Sequence, residues 1–324
     1  MKSNTLKSFL ITFLFIFTGK MYSQLNTDVD TTKIAFIAYW SKGDNYKFKM
    51  KKSIERIKDD KIVKNDSIVY DAFFKVLDST ATSYTISWKY KCDILYALNL
   101  PEKLKTNKNA IREIEVIYTT DETGSEVKIE NWKVLSDIFT KAINDAKSNL
   151  NSEEDKIYTS ILTPIVTALS QQEGIEEFCA KELKLFHYPF GVEFDPKEEL
   201  NYDEVIPSPF SKQGLKAKTR VYFEEHSYKD SSCTFYTELI IDPDDSKKML
   251  LSVLKNVDNQ DKDIKQYVKK SKYEINDFNG FSYVYNPGVP MYIINTRKVE
   301  IDVKDIKESR TDIIEIEFIE EIKQ

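Results

Sequence analysis

The sequence predicts an α+β protein, built as antiparallel β-meanders with a central group of helices packed on a curved sheet. Three observations lead there. Apolar and polar residues alternate with a period of two up to about residue 130 and again beyond about residue 216, the pattern of strands with one wet face. Between residues 131 and 190 the apolar period lengthens to that of a helix. The connections are hairpin-length turns with no βαβ rhythm, which argues against a parallel sheet.

The chain opens with "MKSNTLKSFLITFLFIFTGKMYSQ": basic Lys2 and Lys7, an apolar run from Phe9 to Phe17, and a small-residue exit at Ser23. This order predicts a secretory signal peptide over 1–23, cleaved to leave Gln24 first. The apolar run is far short of the roughly 20 residues that a helix needs to cross about 30 Å of hydrocarbon, so no transmembrane span is expected after cleavage. The leader carries Lys2, Lys7 and Lys20 and no acid. Of 47 basic and 53 acidic residues the mature chain therefore keeps 44 and 53, a net charge of −9. Such a surface repels phosphate backbones, and nucleic acid is not expected as a partner.

Section 24–130 reads as sheet. Tyr46, Phe48, Met50 and Ile54 alternate with Lys47, Lys49 and Lys51, and "KDDK" turns the chain into a second strand from Ile62 to Leu77. After "LDSTATS", Tyr84, Ile86, Trp88 and Tyr90 alternate with Ser83, Thr85, Ser87 and Lys89. Two further strands, Ile111 to Thr120 and Glu126 to Ile129, flank "DETGS". That stretch predicts a hairpin, with Gly124 supplying positive φ and Asp121 and Thr123 bonding nearby amides. As a calcium loop it offers too few oxygen ligands at the wrong spacing, so its acids are expected to be dispensable for the fold.

Section 131–190 reads as helices. Asn131 has the chemistry of an N-cap for Trp132, Leu135, Ile138, Phe139, Ala142 and Ile143 at helical spacing. A second helix is expected over 153–169 with a break at Pro164, and a third over 175–186. Section 191–324 returns to sheet, either as a second sheet or as one with 24–130. Its start belongs to "HYPFGVEFDPKEELNYDEVIPSPF", which has no sustained period and reads as a connector. A hairpin follows around "KDSS", then a short capped helix in "DPDDSKKMLLSVLKNV", then strands over 281–285, 291–303 and 312–320.

Three segments, "IYTTDETGSEVKIENW" (117–132), "EEFCAKELKLFHYPFG" (176–191) and "PSPFSKQGLKAKTRVYF" (207–223), in this order after a leader, resemble uncharacterised secreted proteins of Gram-negative bacteria. The resemblance implies a periplasmic or extracellular location. Its motifs are turn and cap residues and imply no active-site residue.

The residues themselves offer little catalytic chemistry. The eight glycines form neither GxGxxG nor GxxxxGK[ST], and no GxSxG elbow is present. Three cysteines, Cys92, Cys179 and Cys233, and two histidines, His187 and His226, include no CxxC pair, so no metal site is predicted. Cys179 lies at apolar helical spacing with Ile175 and Phe178 and reads as a buried thiol, while His226 reads as a polar surface residue. Acid pairs such as Glu153 with Glu154 are too numerous in this composition to mark a site, and "DNQDKD" (258–263) lacks the glycine and distal glutamate of a calcium loop. No cofactor is expected.

What stands out is aromatic. Phe48, Tyr84, Trp88 and Tyr90, with Phe223 and Phe235, are the candidate ligand-lining residues of a groove beneath the helices. Core packing is the competing account. The sequence thus reads as a secreted or periplasmic, non-catalytic binding module for an apolar ligand or an envelope protein partner. A structural or scaffolding role is the second reading, and a hydrolase using paired carboxylates the third.

Overall fold

The computed structural model describes residues 32–97, 100, 104, 111–148, 150, 159, 162–163, 165–208, 211–255, 271–303 and 306–323. The leader, the "DNQDKD" stretch and most of 153–161 lie outside the described residues. The strands are β1 (Ile34–Ala35), β2 (Asn45–Lys58), β3 (Lys61–Ser79), β4 (Ser83–Asp93), β5 (Ile111–Asp121), β6 (Lys128–Ile129), β7 (Glu193–Phe194), β8 (Leu200–Ser208), β9 (Ser211–Ser227), β10 (Ser232–Ile241), β11 (Lys272–Val284), β12 (Val289–Val303) and β13 (Ile306–Glu321). The helices are α1 (Ile94–Ala97), α2 (Trp132–Lys147), α3 (Gln172–Cys179), α4 (Lys181–Phe186) and α5 (Pro243–Lys255).

Eleven strands form a single antiparallel sheet in the order β6-β5-β4-β3-β2-β13-β12-β11-β10-β9-β8, and β1 pairs with β7 in a ribbon of its own. The protein is therefore mostly β, which corrects the α+β expectation with its central group of helices. Two runs of sequence explain the difference. Residues 200–208 belong to the proline-rich connector in the sequence reading, yet they form β8, paired with β9 from Leu200↔Val221 to Ile206↔Leu215. The alternation of Tyr202, Glu204 and Ile206 is too polar to register as a strand. Residues 272–280 extend β11 well ahead of its expected start, and there the positions facing the core include Asp277 and Asn279 rather than apolar side chains. The helices are short by comparison, 16 residues in α2 against 19 in β3. The third expected helix is two, α3 and α4, joined at Ala180.

The chain divides into two compact units. The first comprises Met1–Ala35, Lys51–Ile68 and Val192–Ile316; the second comprises Phe36–Met50, Val69–Gly191 and Glu317–Gln324.

In the second unit, alternation places Tyr46, Phe48 and Met50 of β2, Tyr70, Ala72, Phe74 and Val76 of β3, Ile86 and Trp88 of β4, and Ile114, Val116 and Tyr118 of β5 on the buried face. The register aligns Phe74 with Trp88 and Trp88 with Val116. Onto this face α4 lays Phe186, whose ring stacks on Phe74 at 5.1 Å and 15°. Each large ring so buried contributes about 2–3 kcal/mol of hydrophobic stabilisation. The DETGS turn joins β5 to β6 with Tyr118 opposite Ile129, and Gly124 has φ +88° as a turn requires. Asn131 stands at the N-cap position of α2, as expected, but its side chain makes no cap bond. Its side chain instead continues the sheet, accepting from Ile117 N at 2.9 Å and donating to Glu115 O at 2.7 Å.

In the first unit β8 to β12 pair in sequence order, with β9 and β10 registered from Ser232↔Ser227 to Ile241↔Ala217 and one shift between Thr234 and Phe235. Asp242 opens α5 in the expected way, its Oδ1 accepting from Asp244 N and Asp245 N, each at 3.0 Å. Met249 of α5 then joins Ile206, Leu215, Ala217, Ile241, Tyr273, Ile275 and Val299 in an apolar cluster.

Candidate functional site

The six candidate ligand-lining residues fall into separate groups. In the second unit Phe48 and Trp88 meet at 5.8 Å, and Phe186 touches both, at 5.5 and 5.8 Å. Tyr84 is tied down at both ends: its ring meets Trp40 at 5.3 Å and its hydroxyl donates to Ala38 O at 2.9 Å. Tyr90 is half-buried and pairs with Tyr70 at 5.3 Å. Trp40 also contacts Phe74, Phe186, His187 and Phe190. The rings in this unit fill one another's space.

Beside them lies a polar node that holds the DETGS turn. His187, at the end of α4, is buried with Nδ1 2.7 Å from Gly124 O and Nε2 2.9 Å from the Tyr118 hydroxyl. A carbonyl only accepts, so Nδ1 carries the proton and Nε2 accepts from Tyr118. Burial lowers the His187 pKa to about 4 and raises that of Tyr118 well above its ordinary value, so both groups are neutral. Within the turn Asp121 Oδ1 accepts from Thr123 N, Thr123 Oγ1 and Ser125 N at 2.9, 2.7 and 2.9 Å, and Oδ2 accepts from Ser125 Oγ at 2.8 Å. Burial pushes this carboxyl up, but the bonds from Thr123 and Ser125 outweigh it and the pKa is lowered. Asp121 thus organises the turn, against the expectation that its acid is dispensable. The node has its hydrogen bonds met from within.

The first unit is different in kind. Phe223 and Phe235 come together at 5.2 Å, and Phe235 stacks in turn on Phe281 at 4.8 Å and 16°. Phe194 of β7 packs over Phe223 and Phe235 at 5.6 and 5.9 Å. On the same face of β10, β11 and β12, the next positions along the strands are polar: Thr237, Asn295 and Arg297 are buried, and Asp277 and Asn279 are half-buried. Asn279 stands between Thr237 and Asn295 in the register, and Asp277 is opposite Arg297. Asn279 Nδ2 donates to Thr237 Oγ1 at 2.8 Å and Asn295 Nδ2 to Asn279 Oδ1 at 2.6 Å. Arg297 is 2% exposed and grips Asp277 with two bonds, Nε to Oδ1 at 2.6 Å and Nη2 to Oδ2. Beyond this band comes the apolar cluster under α5.

A polar band between two apolar clusters was not found from the sequence. The available signal was phase: Asp277 and Asn279 keep step with Ile275 and Phe281, and Asn295 and Arg297 with Ile293 and Val299. Two further ion pairs shielded from solvent belong to this unit, the half-buried Arg56 with Glu308, and the buried Arg310 with half-buried Asp312 at 2.7 and 2.8 Å. Cys233 is also buried here, and burial pushes its thiol up to about 12, far from a reactive thiolate. His226 contacts the Tyr228 ring at 5.2 Å. The Cys179 side chain lies outside the described residues. Among the described residues, no three His, Cys, Asp or Glu side chains are grouped to hold a metal ion, and no helix is long and apolar enough to cross a membrane.

No protein-family model matches the chain, and no curated protein matches it. Similar solved structures include lipovitellin, from a study of its lipid–protein interactions, at 8% identity and TM-score 0.36 over 87% of this chain. The chain spans only 26% of the lipovitellin chain. A Bacteroides fragilis protein of YMCC-like fold, thought to be exported, is similar at 8% identity and TM-score 0.22, over 89% of this chain and all of its own. Ail, the attachment invasion locus protein of Yersinia pestis, is similar at 6% identity and TM-score 0.15, over 86% of this chain and all of its own. Likenesses this distant assign neither a family nor a ligand to the chain.

Proposed function

We propose that the protein is a non-catalytic binding protein of the periplasm or extracellular space, and that it takes an apolar ligand on the buried sheet face of the first unit. One observation carries this reading: the hydrogen-bonded band of Thr237, Asn279, Asn295, Asp277 and Arg297 interrupts an otherwise apolar face, between the Phe223–Phe235–Phe281 stack and the cluster under α5. A buried ion pair adds little to stability over well-packed hydrophobic residues of the same volume, so a purely structural core has small use for such a band. Of the six aromatic candidates, Phe223 and Phe235 remain in the proposal because they lie in the unit that holds the polar band. The other four belong to the second unit. The extracytoplasmic location is supported by the leader-like start of the chain.

Native mass spectrometry of the protein purified from its own envelope tests the reading, together with displacement of a fluorescent acyl probe. A bound apolar mass and saturable probe uptake are expected. A bare polypeptide that takes up no probe would sink it. That result would favour the scaffolding role, for which the filled aromatic core of the second unit is the supporting observation.

A further inference from the structure

We infer that the buried polar band is a headgroup site for an uncharged amphiphile whose head carries a hydrogen-bond donor, a hydroxyl or an amide N–H. This rests on the apolar-ligand reading and specifies its chemistry. The two amide bonds fix the direction of the chain: Asn279 donates to Thr237, and Asn295 donates to Asn279. Each donation uses an NH2 group, which leaves Asn295 Oδ1 as the open acceptor end of the hydrogen-bonded chain. Asn295 is 4% exposed, and its Oδ1 has no partner. A buried acceptor without a donor is unfavourable, and a donor brought by a ligand removes that penalty.

The neighbouring charges select the kind of donor. Arg297 lies two positions along β12 on the same face, and its guanidinium is held bidentate by Asp277, so the formal charges of the pair cancel. A carboxylate or phosphate head would enter beside Asp277 with no counter-charge left for it, whereas a hydroxyl or amide meets no such penalty. The apolar part of the ligand has its place in the next positions on the other side of Asn279 and Asn295, where Phe281 stands opposite Ile293 and stacks on Phe235.

The test uses the full mature protein and three probes of equal chain length, a long-chain alcohol, its methyl ether and the matching carboxylate, each displacing a fluorescent acyl reporter. The alcohol is expected to bind about tenfold tighter than the ether, the size of one good hydrogen bond, and tighter than the carboxylate. In Asn295→Leu the alcohol should fall to the affinity of the ether, with the ether unchanged. Equal binding of alcohol and ether to the unaltered protein would overturn the headgroup site, as a band that merely holds a buried water predicts, and would leave the apolar-ligand reading standing. Tightest binding by the carboxylate would overturn the neutral head. Displacement by none of the three would overturn this inference and the apolar-ligand reading together. Should Asn295→Leu fail to fold, the probe series on the unaltered protein decides.

Discussion

Gly124 has φ +88°, and a Cβ there would sit 2.8 Å from Ala38 Cβ and 2.9 Å from Phe190 Cδ1. Any side chain therefore meets both backbone strain and overpacking. Gly124→Val is expected to destabilise by about 2–4 kcal/mol, read as a fall in the urea midpoint at constant slope. His187 gives a prediction with pH. Its pKa falls from 6.5 to about 4 on folding, so the unfolded chain takes up a proton first and stability drops as pH falls through that window. Between pH 7 and pH 5 the loss from this group amounts to about 2 kcal/mol. His187→Gln should be less stable at neutral pH, through lost packing and a weaker bond to Tyr118, yet show that much less pH dependence between the two. An equally steep profile in the variant would place the titration elsewhere. Of this node the sequence showed the glycine and its turn. It did not show that His187, 63 residues away, accepts the duty of holding the turn, because no local pattern links a histidine to a carbonyl in another element.

At the scale of elements, the β2–β3 connection is two residues, Asp59 and Asp60, with φ 49° and 60°. Both central residues at positive φ make a type I′ turn, which favours glycine in the second place. Asp60→Gly should stabilise the protein by about 0.5–1 kcal/mol, seen as a rise of a few degrees or less in Tm. Asp59 should be kept, since its Oδ1 accepts from Lys307 N at 3.3 Å. This turn was legible as "KDDK" because turn chemistry is local. So were α2 and α5, whose amphipathic spacing and, in α5, Asp242 and Pro243 lie within a few residues. Strand β8 and the first half of β11 were not legible. Their hydrogen bonds go to distant partners, and their inward residues are polar for reasons that only those partners supply.

For the molecule as a whole, the consequence is an eleven-stranded sheet whose first-unit face buries charge as well as rings. Arg297→Ala leaves Asp277 buried without its counter-charge and should cost about 3–5 kcal/mol, measured by chemical denaturation. The double replacement Arg297→Met with Asp277→Leu removes both charges and should recover most of that loss. If the double variant is as unstable as the single one, the pair matters for more than electrostatic compensation. Recovered stability with lost probe binding is the pattern expected of a band kept for its ligand.

The sequence by itself determined the local features: strand alternation from Tyr46 to Tyr90, the turns at "KDDK", "DETGS" and "KDSS", the amphipathic helices, and an acidic balance of charge. These depend on residues close together in the chain, whose φ preference and side-chain period are set by their own chemistry. Tertiary structure decided the rest. It made β8 an element of the sheet, gave the side chain of Asn131 to the strand β5 rather than to its helix, and set Asn279 between Thr237 and Asn295 in one polar band. Each of these is a pairing between segments separated in sequence, and a polar side chain reads as surface until the strand that pairs with it is in place.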